Sequence, residues 1–155
     1  MRTNIKKYTG TAMLAAMFAA PSALADDHYS NPQEAVLNAA SHSQAALQKV
    51  LDSGVDVNAT DDDRDTALME AAETGNTAAV RNLINAGANV NLQNEDAESA
   101  LMMAAAEGHP DIVKALLAAG ANVSAVDEDG ETALNKAIDG GHDAAANAIR
   151  QSGGM

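Results

Sequence analysis

Asp61, Asp63 and Asp65 alternate in the stretch DDDRDTAL, residues 61 to 68, as the first three ligands of a calcium loop do. Such a loop also needs a glycine at its sixth position and a bidentate Glu at its twelfth. Counted from Asp61, those positions hold Thr66 and Ala72. Counted from Asp127, in a second acidic stretch, they hold Thr132 and Ile138. Neither loop completes a coordination shell alone, and a weak calcium site shared between neighbouring acidic stretches stays open as a reading.

A second chemistry depends on where the chain is cut. Arg2, Lys6 and Lys7 precede the short apolar run GTAMLAAMFAA (10–20), Pro21 and the small-residue triplet ALA (23–25). This is the pattern of a secretory signal peptide, with an apolar run too short to span a bilayer. Cleavage is expected after Ala25, which leaves Asp26-Asp27-His28 as the new N-terminus. There the Asp26 amine, two backbone amides and the His28 imidazole are a square-planar nitrogen set suited to Cu(II) or Ni(II). A short motif of this kind also arises by coincidence.

Catalytic constellations are missing. The chain has no cysteine, no G-x-S-x-G elbow and no phosphate-cradling glycine loop. Its many carboxylates fall in polar stretches, where water keeps them ionised and unsuited to acid catalysis. The chain reads as a non-enzyme that needs no cofactor. His109 and His142 follow Gly108 and Gly141 and are read as structural, and His42 aligns with Gly75.

Charge narrows the partners. From residue 26 on, six Lys and Arg stand against 22 Asp and Glu, a formal charge of −16. Nucleic acid and anionic lipid require a cationic face, so both are excluded as partners. Tyr29 is the sole aromatic after residue 25, which leaves no platform for stacking bases or sugars. The expected protein is bacterial, periplasmic or secreted, monomeric, and outside the membrane once its signal is removed.

The elements that position these residues come from a repeat. Gly54, Gly87, Gly120 and Gly153 are spaced by 33, and so are Gly75, Gly108 and Gly141. TAL at 66, SAL at 99 and TAL at 132 keep that period, as do VDVNA at 55, ANVNL at 88 and ANVSA at 121. Within a unit, Thr66 caps a short helix from Ala67 to Thr74, ended by Gly75. A second helix runs from Thr77 to Asn85, with Ala79, Val80, Leu83 and Ile84 at helical spacing. Each unit is two antiparallel helices and a projecting turn. Val50, Leu83, Leu116 and Ile149 form one core row, and Leu51, Ile84 and Leu117 form a second that turns polar at Arg150. Ala35 and Asn38 align with Leu68 and Ala71, so the first unit reads as a degenerate cap.

The segment EGHPDIVKALLAAGANV (107–123) resembles the ankyrin repeat over its whole length. The resemblance covers 28 to 155 in units of about 28–60, 61–93, 94–126 and 127–155, within a domain of residues 26–155. It implies an all-α solenoid of four helix-turn-helix units with hairpin tips. The family's Thr-Pro-Leu-His becomes Thr66-Ala67-Leu68-Met69, Ser99-Ala100-Leu101-Met102 and Thr132-Ala133-Leu134-Asn135, so proline and histidine are both replaced. Only Gly130 keeps the tip glycine; Arg64 and Ala97 stand at the other two tips. Met69, Met102 and the neighbouring Met103 are read as packing residues.

The resemblance also gives the acidic stretches a place. DDDRD (61–65), NEDAE (94–98) and DEDGE (127–131) become three neighbouring tips, holding 11 of the 22 acids. Like charges so close should repel. Ankyrin stacks bind partner proteins through their tips and the exposed face of each first helix. Carried over, that surface is Asp62, Asp63, Asp65 and Glu73, then Glu95, Asp96, Glu98 and Glu107, then Glu128, Asp129 and Glu131. It fits a protein partner of basic or mixed charge, beside the plainer reading of an edge that only aids solubility. The resemblance further implies a role as accessory factor to a periplasmic stress-protection enzyme, and cation binding remains the rival from another class.

Overall fold

The computed structural model describes residues 31–153. The expected signal peptide and the Asp26 and His28 nitrogen site lie outside them. Among the described residues the chain forms eight α-helices and no strand: α1 (Pro32–His42), α2 (Gln44–Asp52), α3 (Ala67–Thr74), α4 (Thr77–Asn85), α5 (Ala100–Glu107), α6 (Pro110–Ala118), α7 (Ala133–Asp139) and α8 (Asp143–Gly153). First helices α1, α3, α5 and α7 pack side by side in one layer, and second helices α2, α4, α6 and α8 in the other. No helix among the described residues is long and apolar enough to cross a membrane.

Local chemistry sets the helix ends. Thr66 Oγ1 accepts from Met69 N at 3.2 Å, and Ser99 and Thr132 cap α5 and α7 in the same way. Each hydroxyl satisfies an N–H that the first helical turn leaves without a partner. At two of the positions where the family has histidine, the side chain turns back onto the capping residue. Met69 Sδ accepts from Thr66 N at 3.4 Å, and Asn135 Oδ1 accepts from Thr132 N at 3.0 Å. At α1, Asn31 Oδ1 takes Glu34 N, and Pro32 opens the helix, where its missing N–H costs nothing.

The core is small-residue and aliphatic. Val50, Leu83, Leu116 and Ile149 are all buried, as the first core row requires. Leu51, Ile84 and Leu117 are half-buried beside it, and Arg150 is exposed. The first unit departs from the expected alignment. Asn38 is exposed, while Val36 and Ala39 take the buried places of Leu68 and Ala71. The cause is a shorter turn. Ser43 alone, in extended backbone, links α1 to α2, whereas Gly75 and Asn76 link α3 to α4. α1 therefore slips by one residue against the 33-residue register.

Side chains pin each unit to the next. Asn76 Nδ2 donates to Ser41 Oγ at 2.8 Å, and Asn82 Nδ2 to Ala40 O at 2.8 Å. His109 Nε2 donates to Glu73 O at 3.1 Å, which agrees with a structural reading of this histidine. Its ring lies over Gly75, where a Cβ would come within 2.7 Å of His109 Cε1, and His142 covers Gly108 in the same manner. On the loops between units, Asn58 Oδ1 accepts from Asn89 N and Asn91 Oδ1 from Asn122 N, both at 2.8 Å.

Candidate functional site

The three acidic stretches form neighbouring hairpin tips with one internal design. Asp61 Oδ1 accepts from the backbone N–H of Asp63 at 3.1 Å and of Asp65 at 2.8 Å. Asn94 Oδ1 does the same for Asp96 and Glu98, and Asp127 Oδ1 for Asp129 and Glu131. The first residue of each tip is thus a side-chain staple across its own turn. The alternation of Asp61, Asp63 and Asp65 thus belongs to a turn whose first side chain accepts from the amides of the third and fifth residues. Among the described residues no group of three or more His, Asp or Glu side chains is arranged to hold a metal ion.

The fourth residue is left-handed in all three tips, with φ of 65° at Arg64, 58° at Ala97 and 81° at Gly130. The turn survives the loss of two glycines because the Asx staple and the main chain hold it closed. Asp61 N donates to Asp65 O, Asn94 N to Glu98 O and Asp127 N to Glu131 O, each at 3.0 Å. The tips are also joined to each other. Glu95 N donates to Asp63 O at 3.1 Å, and Glu128 N to Asp96 O at 3.2 Å.

Between the tips and the first helices runs a concave groove of about 900 Å³. It brings together Asp63, Asp65 and Glu73, then Glu95, Asp96, Glu98 and Glu107, then Glu128 and Asp129. Asp62, on the exposed side of its tip, and Glu131 do not line it. The carboxylates differ in accessibility. Glu95, Asp96, Glu107, Glu128 and Asp129 are exposed. Asp65 is buried, 6% exposed, and its Oδ1 accepts from Asn94 Nδ2 at 2.8 Å. That bond ties one tip to the next, so Asp65 is a structural residue rather than an open docking position.

Lys136 and Asp127, both in the groove lining, stand outside the expected surface. Lys136 Nζ lies 2.8 Å from Glu98 Oε1, 2.7 Å from Asp127 Oδ2 and 3.8 Å from Glu131 Oε2. Burial pushes Asp127 toward the neutral form, but the Lys136 bond and the Glu131 and Asp129 amides outweigh it and hold the carboxyl below its ordinary value. Burial likewise opposes the charge on Lys136, and Asp127 and Glu98 overcome it, raising the ammonium pKa above its usual range. The repulsion expected between adjacent tips is thereby relieved at this boundary. One boundary earlier, Asn94 replaces the aspartate and Met103 the lysine, so the same place is bridged by a neutral amide.

Lys136 is the sole basic residue in α3, α5 and α7 and keeps the 33-residue register with Met103 and Glu70. That lone cation, set against an Asp at 127 where 94 holds Asn, is the signal by which sequence reading could find the bridge.

The groove is lined mainly by carboxylates, with the Lys136 ammonium among them. Comparison with curated proteins finds no match. The family model for ankyrin repeats matches residues 11–94, 35–127 and 68–154 in three overlapping copies. Ankyrin repeats generally mediate protein–protein interaction, and proteins built from them are typically non-catalytic. With those matches spanning 11–154, eight helices in two layers among the described residues and a tip in each of the second, third and fourth units, the chain belongs to the ankyrin-repeat family.

Proposed function

We propose that this chain is a non-catalytic docking module of the bacterial periplasm or exterior, which holds a protein partner of basic or mixed charge in the groove between its tips and first helices. The reading rests on one observation. Glu95, Asp96, Glu107, Glu128 and Asp129 converge on a single concave face while staying exposed, on a scaffold whose tips are bonded to one another. Fixed charges of one sign steer a complementary partner and reject acidic ones. The location rests on the basic, apolar and small-residue pattern of residues 1–25.

A pull-down from periplasmic extract tests this. The bait is the native protein beside a variant in which those five carboxylates become Gln or Asn. All five are exposed, so the variant keeps its fold. A protein retained at low salt by the first bait, lost from the second and released by salt supports the groove. Equal retention by both baits moves docking elsewhere, and retention unchanged by salt removes the electrostatic mechanism.

A further inference from the structure

Each loop that leads from a second helix into the next unit carries the same side-chain turn. Asp56 Oδ1 accepts from Asn58 N at 2.8 Å, Asn89 Oδ1 from Asn91 N at 3.0 Å and Asn122 Oδ1 from Ser124 N at 3.0 Å. In the 33-residue register these loops read Asp56-Val57-Asn58-Ala59-Thr60, Asn89-Val90-Asn91-Leu92-Gln93 and Asn122-Val123-Ser124-Ala125-Val126. Only the first sets an asparagine between an acid two residues before it and a hydroxyl two residues after it. An asparagine with Ser or Thr two residues on, and no proline between, is the acceptor pattern for N-linked glycans on the surface loops of exported proteins. Bacterial transferases of this class also read an acid two residues ahead. Asn122-Val123-Ser124 is the chain's other match to the shorter pattern, and there Gly120 stands in place of the acid.

The atoms of the first loop suit this chemistry. Asp56 and Thr60 are exposed, and Asn58 is half-buried in a turn closed by Ala59 N donating to Asp56 O at 3.0 Å. Asn58 Oδ1 accepts from Asn89 N at 2.8 Å, while its Nδ2 has no hydrogen-bond partner among the described residues. Asn91, one unit on, uses both ends of its amide: Oδ1 accepts from Asn122 N, and Nδ2 donates to Gly120 O at 3.2 Å. At Asn58 the oxygen alone joins the units. An N-linked sugar replaces one N–H of an amide and keeps its carbonyl oxygen, so the bond from Asn89 survives the modification.

We infer that Asn58 is the attachment site of an N-linked oligosaccharide, read by its transferase through Asp56 and Thr60 on either side. The donor is an oligosaccharide carried on a lipid pyrophosphate. Asn58 Nδ2 forms a bond to the anomeric carbon and gives up one proton. The bond from that carbon to the pyrophosphate oxygen breaks, and the lipid pyrophosphate leaves with the electron pair. The inference rests on the exported location proposed above. It does not rest on the groove, whose lining includes no residue of this loop.

Mass spectrometry of the protein from the periplasm of its own host, intact and as peptides, tests it. The expected chain is heavier by whole sugar residues, with the added mass on the peptide that holds Asn58 and none on the one that holds Asn122. Thr60→Val copies Val126, and Asp56→Asn copies Asn89, whose Oδ1 makes the same turn. Each leaves Asn58 in place and is expected to abolish the added mass. A bare Asn58 on exported protein overturns the inference and leaves the location standing. Added mass that survives both Thr60→Val and Asp56→Asn overturns it too, as does a sugar on Asn122 in place of Asn58. A chain kept at full length in the cytoplasm overturns the location instead. The same peptides from a chain with a foreign export signal ahead of Asp26 then decide Asn58 separately.

Discussion

Lys136 Nζ bridges Glu98 Oε1 and Asp127 Oδ2 at 2.8 and 2.7 Å, joining the third tip to the second across a unit boundary. Asp127 is nearly inaccessible and Glu98 about a third exposed. Removing the cation leaves two close carboxylates, one of them buried. Fully buried pairs broken in this way lose about 3–5 kcal/mol. Solvent at Glu98 reduces that here, and Lys136→Met is expected to cost about 2 kcal/mol in urea melts. Adding Asp127→Asn, which copies Asn94, is expected to recover most of the loss.

The pH dependence follows from the same bridge. Asp127 has its folded-state pKa depressed, so its contribution is complete above its unfolded value of 3.8 and is lost as pH falls through the lower folded value. Lys136 has its folded-state pKa raised, so its contribution is complete below 10.5 and fades only at higher pH, beyond that value. In Lys136→Met the unrelieved carboxylates take up protons more readily. The stability gap between the two proteins should therefore be widest near neutrality and shrink on acidification. A gap that grows in acid contradicts the bridge.

The reciprocal change transplants the bridge. Asn94→Asp sets a second buried carboxylate against Asp65, with Met103 where unit four has lysine. It is expected to lower the melting temperature, and Asn94→Asp with Met103→Lys to restore it. A double variant no more stable than the single one would separate the two boundaries in kind.

Arg64 and Ala97 hold left-handed backbone without glycine. That conformation costs a residue with a Cβ about 1–2 kcal/mol. Ala97→Gly should return about 1 kcal/mol in a thermal or urea melt, after the added freedom of the unfolded glycine is discounted. Gly130→Ala should lose a similar amount.

Leu116 is wholly buried between the two layers. Leu116→Ala leaves a cavity and is expected to cost about 2–5 kcal/mol. A melt indistinguishable from the native protein removes Leu116 from the core.

Much of this fold is periodic, and periodicity is what a sequence displays openly. The 33-residue spacing located α3 through α6, including the bounds of α3 and α4. It failed at α1, where one missing turn residue slides Val36 into the place assigned to Ala35. The tips were placed side by side for the same reason that the helices were. Which of their acids face water was hidden, because Asp65, Asp127 and Glu98 are distinguished only by bonds to residues about 10 to 40 positions away. Met69 shows the same limit. Nothing in its residue type announces that its sulfur accepts the Thr66 amide.

The two amides that run from Glu95 to Asp63 and from Glu128 to Asp96 have a mechanical meaning. Loops carrying this much charge would ordinarily splay like the bristles of a brush. Stitched at their main chains, these three cannot fan apart, and their carboxylates are graduated at the pitch of the repeat. A cationic visitor meets a ruler, and what it must match is a spacing.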